Sequence, residues 1–499
     1  MDNILKLHVD KDLETLDPDD WEGMKDLGHR MVDDMLDYLR TVRSRPVFQP
    51  VPNDRRDFFR SGPPTKPQGA EAAYEDFREA VRDYPIGNIH PRFWGWVMGT
   101  GTPFGMLAEM LAAGMNTNAG FGNQAAVHVE TQVINWLKDI IGFPAEASGI
   151  LVTGCTVANL IGLTVARNLK SGIDVRTEGL QSLGRSMTMY GSVETHSSVQ
   201  RALEMLGLGS DAFRAVPVHD DFTIRIDELE KMIAVDVAEG ALPICVIANA
   251  GTVNSGAFDD MQQMADVCDK HDLWLHVDGA FGALSALSPR LAPNIDGIGR
   301  ADSVAFDLHK WLHAPYDVGG VLIRDASSHH DSFRMSGDYL SHFDSDLATG
   351  PINFMEHGVQ MSRSFRALKV WMTIKEHGTE KLGRLVEQNV DQAQYLAALV
   401  DREPELELMA PVPLNIVCFR YTSPGLDEQA LDDLNLTILQ RLHDSGVAVP
   451  THTRISGHFV LRAAIANHRT RFEDLGLLAN EVIYWGRKLR RESPRQHTS

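Results

Sequence analysis

Cysteine is scarce in this chain of 499 residues: Cys155, Cys245, Cys268 and Cys418 are widely separated and form no CxxC pair. That spacing argues against a disulfide framework or a structural zinc site, and suits a reducing cytoplasm. Positive charge is in deficit too, with 47 Lys and Arg against 68 Asp and Glu and a formal net charge of -21, so a nucleic-acid backbone would meet net repulsion. No apolar run reaches the ~18 residues a membrane-spanning helix needs. The opening MDNILKLHVDKDLETLDPDD turns acidic where a secretory leader needs an apolar core. Internal repeats, low-complexity tracts and a GKS or GKT phosphate loop are all missing, and GTGTPFG at 99–105 has neither dinucleotide-binding spacing nor a clear strand before it. What remains is a soluble, cytoplasmic globular protein, 43% hydrophobic and 23% charged, with room for an extended core or two to three domains.

Near the start, Trp21, Met24, Leu27, Met31, Met35 and Leu39 recur at helical spacing behind an Asp-rich entry, which predicts one amphipathic helix. SRPVFQPVPNDRRDFFRSGPPTKPQG is rich in proline and charge and reads as an extended arm or linker without a core of its own. From Thr100 onward helical stretches (GMLAEMLAAGM, VETQVINWLKDIIGFP) alternate with apolar strands (GILVTG, PICVIANAG, LWLHVDGA, SVAFD, GGVLIRD). That alternation predicts an α/β fold with a mostly parallel sheet covered by helices. Beyond SRSFRALKVWMTIKEHG the pattern shifts to a smaller mixed unit, so boundaries are expected near 100 and 378: an arm at 1–100, a large domain at 101–378 and a small α+β domain at 379–499.

The segment SVAFDLHKWLHAPYDVGGVLI sets one lysine, Lys310, among apolar neighbours. A lysine there either runs its stem along a surface with its ammonium in water, or is buried with a depressed pKa as a neutral amine able to attack a carbonyl. Asp278 ends the strand LWLHVD, where ligands of open α/β sheets bind; it serves either as a cap for the following backbone or as the partner of a buried cation such as a protonated pyridine nitrogen. GILVTGCTVANL reads as strand, turn and helix, placing the N–H groups of Gly154, Cys155 and Thr156 at a helix N-terminus that suits a phosphate. His196, before a predicted helix, is a cap, a flat surface for ring stacking or a partner for a carboxylate. Thr252 follows another strand and has a hydroxyl to offer to a ring oxygen.

Taken together, in the order of a phosphate turn, a stacking histidine, HVDGAFGA and DLHKW, these residues resemble the group II pyridoxal-phosphate-dependent amino acid decarboxylases, the family of aromatic amino acid, glutamate and histidine decarboxylases. The resemblance runs from HPRFWGWV at residue 90 to FVLRAAIANHRT at 459–470. It implies fold type I with a seven-stranded sheet, pyridoxal 5'-phosphate as cofactor, and a homodimer with shared active sites. By the same resemblance Lys310 is the Schiff-base lysine, Asp278 the pyridinium partner and His196 the stacking residue. Ala280 packs on the opposite ring face, Thr252 lies near the ring hydroxyl, and His309 joins Gly154, Cys155 and Thr156 around the phosphate. Many relatives read Asn-Pro-His-Lys where this chain has Asp-Leu-His-Lys, so Asp307 is expected to repel the phosphate rather than bind it.

Tyr339, in the long polar stretch 324–354, matches the family's loop tyrosine that returns a proton to the substrate carbon, which favours an amine over an aldehyde. Trp96 and Phe121 favour an aromatic substrate, whereas NTNAGFGNQ at 116–124 resembles glutamate decarboxylases and FWGW also suits a core. Decarboxylation of glutamate or another acidic or aliphatic amino acid, and aldehyde synthesis on the same scaffold, stay open. A non-catalytic binding protein has no need of Lys310, Asp278, His196 and Tyr339 together.

Overall fold

The computed structural model describes residues 14–335 and 350–492, and Tyr339 lies outside them. The chain up to Arg45 together with Pro50–Tyr84 forms one compact unit, and Pro46–Gln49 with the chain from Pro85 onward forms another.

In the first unit the helix Trp21–Arg40 starts at Asp20, whose carboxylate accepts the Gly23 N–H at 3.0 Å. The acidic entry is thus an N-cap. Leu27 on this helix is buried, while Trp21, Met24 and Met31 are exposed, so the apolar stripe read from the sequence is only partly covered in this chain. The stretch expected to be wholly extended contains a short helix, Asn53–Phe58. Pro52 leads into it at φ -60°, and Asp54 sits in its first turn, where a carboxylate favours the helix dipole.

The second unit holds two sheets. In chain order its strands are β1 Phe93–Trp94, β2 Ser148–Val152, β3 Met187–Ser192, β4 Phe213–Val216, β5 Leu242–Asn249, β6 Trp274–Asp278, β7 Ser303–Asp307, β8 Gly319–Ile323, β9 Leu406–Leu408, β10 Ile416–Tyr421, β11 Val449–Ile455 and β12 His458–Ala464. The seven-stranded sheet runs β2-β8-β7-β6-β5-β3-β4. Its strands pair in parallel except for β8, which is antiparallel to both β2 and β7. Strands β6, β7 and β8 are buried along their whole length, the mark of a sheet covered on both faces. This is the mostly parallel α/β architecture expected from the sequence.

Pairing register brings the chemistry to one edge. Asn249 lies opposite Asp278, Asp278 opposite Ala305, and Asp307 opposite Gly319. Val152 also lies opposite Gly319, so the turn at Gly154 opens at the carboxyl ends of β6 and β7. The helix Ala125–Ile141 ends, as read, at Gly142 in the left-handed conformation (φ 76°). Downstream, Ala367–Arg402 is helical except at Gly378, where φ 70° and ψ 157° break the helix. It leads to the second sheet, of order β1-β11-β12-β10-β9, over a core that includes Trp94, Leu396, Phe419 and Leu461. Among the described residues no helix is long and apolar enough to cross a membrane.

Candidate active site

At the carboxyl edge of the large sheet two buried carboxylates, Asp278 and Asp307, are held in different ways. Asp278 accepts the side-chain N–H of Asn159 at 3.0 Å on Oδ2, and the N–H of Ala280 at 3.1 Å and the Cys155 thiol at 3.4 Å on Oδ1. Three donors lock its orientation. Burial, followed by the negative charges of Asp278 and Asp307, pushes the Cys155 thiol well up, so it stays protonated as a donor.

Behind Asp278 runs a directional hydrogen-bond chain. Trp274 Nε1 donates to Ser303 Oγ at 2.7 Å, and Ser303 Oγ meets His276 Nδ1 at 2.8 Å. His276 Nε2 lies 2.9 Å from Asn159 Oδ1, and the Asn159 amide reaches both Asp278 and, at 3.1 Å, Ser198 Oγ. Ser198 Oγ lies 2.8 Å from His196 Nδ1, which also accepts the Ser198 N–H at 3.2 Å. His196 is therefore a helix cap, and its neutral form carries the proton on Nε2. Desolvation lowers its pKa, against the pull of Asp278.

Asp307 faces the turn at Gly154, and it takes the Cys155 N–H that the sequence offers to a phosphate. Its Oδ1 accepts the Cys155 N–H at 2.7 Å, at the first residue of the helix Cys155–Lys170, and its Oδ2 lies 3.0 Å from Lys310 Nζ and 3.6 Å from His309 Nε2. The sequence leaves Lys310 as either a solvated ammonium or a buried amine with a depressed pKa; the structure shows a third arrangement, an amine held by a buried carboxylate. Burial does lower the Lys310 pKa, but the charge and hydrogen bond of Asp307, with a smaller pull from Asp278, outweigh it, and the net direction is upward. His309 accepts the Val318 N–H at 3.2 Å on Nδ1 and lies against the Tyr316 ring with centroids 4.3 Å apart. Burial, ahead of the opposing charge of Asp307, keeps its pKa low.

Gly154, Cys155, Asp278, Ala280, His309 and Lys310 thus meet at one place, and His196 joins through Ser198 and Asn159. Thr156 is exposed on the first turn of the same helix. Thr252 follows β5, beside β6, and is buried; its hydroxyl accepts the Ala257 N–H at 3.0 Å and lies 3.0 Å from Ser255 Oγ, so it braces its own turn. Trp96 and Phe121 stand apart from this network. Trp96 sits at φ 53°, a strained conformation for a bulky residue, with its ring half exposed. Buried Arg462 holds its carbonyl at 3.1 Å and reaches the Val253 carbonyl as well. Phe121 is partly exposed in a segment fastened to Arg363, whose N–H donates to Asn118 Oδ1 at 3.0 Å. Sequence reasoning missed Asn159, Ser198, His276 and Tyr316. The one available signal was that His276 lies two residues before Asp278, on the same face of a strand.

Residues 52–422 match the model of the pyridoxal-dependent decarboxylase conserved domain. The chain belongs to the pyridoxal-dependent decarboxylase family. It is 34% identical to an aromatic-L-amino-acid decarboxylase of Bacillus atrophaeus over 460 residues, covering 91% of this chain and 93% of that one. A phenylacetaldehyde synthase of Petunia hybrida is 27% identical over 487 residues, covering 94% of each. The crystal structure of Oryza sativa TDC with PLP and tryptamine superposes with a TM-score of 0.88 at 25% identity, covering 95% of this chain and all of that one. This decarboxylase is thus a fold type I, pyridoxal-phosphate-dependent carboxy-lyase.

The residues present fit that cofactor. A Cβ on Gly319 would stand 2.7 Å from Asp307 Oδ1 and 2.8 Å from the Gly154 Cα, so the floor of the phosphate turn tolerates glycine alone. At the other end Asp278, fixed by three donors, would suit a protonated ring nitrogen, and the Lys310 amine would suit an aldehyde.

Proposed function

We propose that this decarboxylase removes the α-carboxyl group of an aromatic L-amino acid and releases the amine and carbon dioxide. The observation that carries the substrate class is the identity with an aromatic-L-amino-acid decarboxylase over nearly the whole chain, and the half-exposed ring of Trp96 supports it as a flat apolar wall. Bound pyridoxal phosphate supplies an aldehyde that takes up the substrate amino group and a ring that accepts the electron pair left by departing carbon dioxide.

In this reading Lys310 holds the cofactor between turnovers. Gly154, Cys155, Thr156 and His309 surround its phosphate, Asp278 keeps its ring nitrogen protonated, and His196 and Ala280 flank the ring. Thr252 lies beside the ring hydroxyl. Tyr339 returns the proton to the substrate α-carbon. Trp96 and Phe121 shape the side-chain pocket, with Phe121 reaching the second subunit's site. The same reading divides the chain into an arm (1–100), a cofactor domain (101–378) and a small domain (379–499), and the break at Gly378 supports the second boundary. It also makes the enzyme a cytoplasmic homodimer. Four free, buried cysteines support the compartment, and the exposed apolar residues Met110, Leu111, Met115, Val359 and Met361 support a second copy.

A second reading, decarboxylation with release of an aldehyde, draws on the likeness to a phenylacetaldehyde synthase. A product assay on the cofactor-loaded enzyme, offering the common amino acids and 3,4-dihydroxyphenylalanine separately, decides between them. Amine and carbon dioxide from aromatic substrates are expected; aldehyde with ammonia and hydrogen peroxide moves the assignment, and turnover of glutamate alone refutes the aromatic class. Lys310→Ala should abolish the cofactor band at roughly 420 nm; a surviving band removes Lys310 from its role.

A further inference from the structure

Asp307 does not merely replace a neutral residue near the phosphate. Its two oxygens do separate things: Oδ1 caps the helix Cys155–Lys170 through the Cys155 N–H at 2.7 Å, and Oδ2 holds Lys310 Nζ at 3.0 Å. The carboxylate has little freedom to turn. It is 3% exposed, and Gly154 and Gly319 lie against Oδ1 so closely that a Cβ on Gly319 would come within 2.7 Å. His309 Nε2, at 3.6 Å, approaches the same oxygen as the lysine.

We propose that Asp307 is a positioning residue that docks the Lys310 ammonium whenever that amine is not bonded to the cofactor. Lys310 is released from the cofactor each time a substrate amino group takes its place. A free amine left beside the reacting carbon competes with the substrate for it. As an ammonium on Asp307 it cannot attack, because its lone pair carries a proton. The geometry favours that state: Asp307 Oδ2 lies 3.0 Å from the amine, and among the described residues no cation of the site stands closer to that oxygen. When Lys310 takes the reacting carbon back, the bond to the product nitrogen breaks and the product amine leaves with the proton the ammonium gives up; on first capture of a free aldehyde it is water that leaves. The cap on Cys155 persists throughout, so the phosphate turn does not rearrange as the lysine comes and goes.

The inference rests on Lys310 being the cofactor-bonding lysine, and the test separates the two. Asp307→Asn keeps an oxygen for the Cys155 N–H and removes the charge facing Lys310; it is also the residue found in many members of the resembled family. Asp307→Ser, which retains a shorter acceptor, is measured beside it, with thermal melting to establish folding. Whole-chain enzyme stripped of cofactor is mixed with pyridoxal or with pyridoxal phosphate, and the growth of the band at roughly 420 nm is followed by stopped flow. Each pKa unit lost by a protonated amine multiplies its neutral fraction about tenfold, so capture should quicken by about tenfold or more in the folded variant with both probes. Unchanged or slower capture with both overturns the proposal. Faster capture of pyridoxal phosphate alone overturns it too, since relief of phosphate repulsion then explains the effect. No band in any protein, wild type included, removes the assignment of Lys310 and this inference with it.

Discussion

Acidification should destabilise this enzyme through His276, and the size of the effect follows from the geometry. The imidazole is fully buried between Ser303 and Asn159, and burial, only partly opposed by Asp278, lowers its pKa to about 4. In the unfolded chain the same group titrates near ~6.5. Because the folded value is the lower one, the folded state binds fewer protons between these limits; stability is fully present above ~6.5 and is lost as the pH falls toward the folded pKa. At about pH 5 the unfolded imidazole is almost wholly protonated and the folded one about one-tenth so, a difference of about 2 kcal/mol relative to about pH 7. Urea denaturation of wild type and His276→Gln at both pH values measures it. The glutamine variant is less stable at neutral pH but should lose about 2 kcal/mol less on acidification. Equal pH sensitivity of the two proteins, within about 0.5 kcal/mol, would refute the reasoning, because His276 would then carry no uncompensated proton deficit. Asp259 works in the opposite sense: burial raises its carboxyl to about 6, so its contribution grows as the pH falls. The comparison therefore has to be a difference between variants rather than a single curve.

Three further outcomes are expected. Asn159→Ala removes a donor to the Asp278 carboxylate and strands His276 Nε2, which should lower stability by about 2–4 kcal/mol and loosen cofactor retention, measured by thermal melting and equilibrium dialysis; unaltered retention would show that Asp278 needs no such brace. Arg363→Met leaves the fully buried Glu130 without its cation and takes hydrogen bonds from the Ala119 and Leu151 carbonyls, so a loss of about 3–5 kcal/mol is expected in urea titration, and a loss under about 1 kcal/mol would contradict it. Tyr339→Phe should keep the cofactor band while raising the aldehyde-to-amine ratio about tenfold, the effect of about 1.4 kcal/mol between two protonation routes; an unchanged product ratio clears the tyrosine of proton delivery.

The residues legible in the sequence were those whose type is out of place in its local pattern. Asp278 stands at the end of an apolar strand and Lys310 just past another, and neither is explained by helix or strand periodicity. Asn159 and Ser198 gave no such sign, because a polar residue early in a helix reads as an ordinary cap or a solvated position; only the meeting of that helix with β6 buries Asn159 against a carboxylate and an imidazole. Strands β3 and β4 escaped for a related reason. MTMYGS and FRAV lack the aliphatic run that marked their neighbours; β3 is a strand because β5 offers it an edge, and β4 because β3 does. The charge on Lys310 stayed open in the sequence because burial was weighed without the partner. Its apolar sequence neighbours Leu308, Trp311 and Leu312 are buried, while Asp307, three residues earlier at the end of β7, lies 3.0 Å from its ammonium. The two acids at this edge consequently divide the work. Asp278 is held by three neutral donors and has no cation of the chain within hydrogen-bond reach among those contacts. Asp307 keeps one oxygen for the helix and one for the lysine, so the charge it neutralises belongs to the chain itself. Exchanging their partners would require a lysine near Ala280 or an amide at Asp307, and the close glycine contacts at Gly154 and Gly319 leave no space for a larger side chain on the Asp307 side.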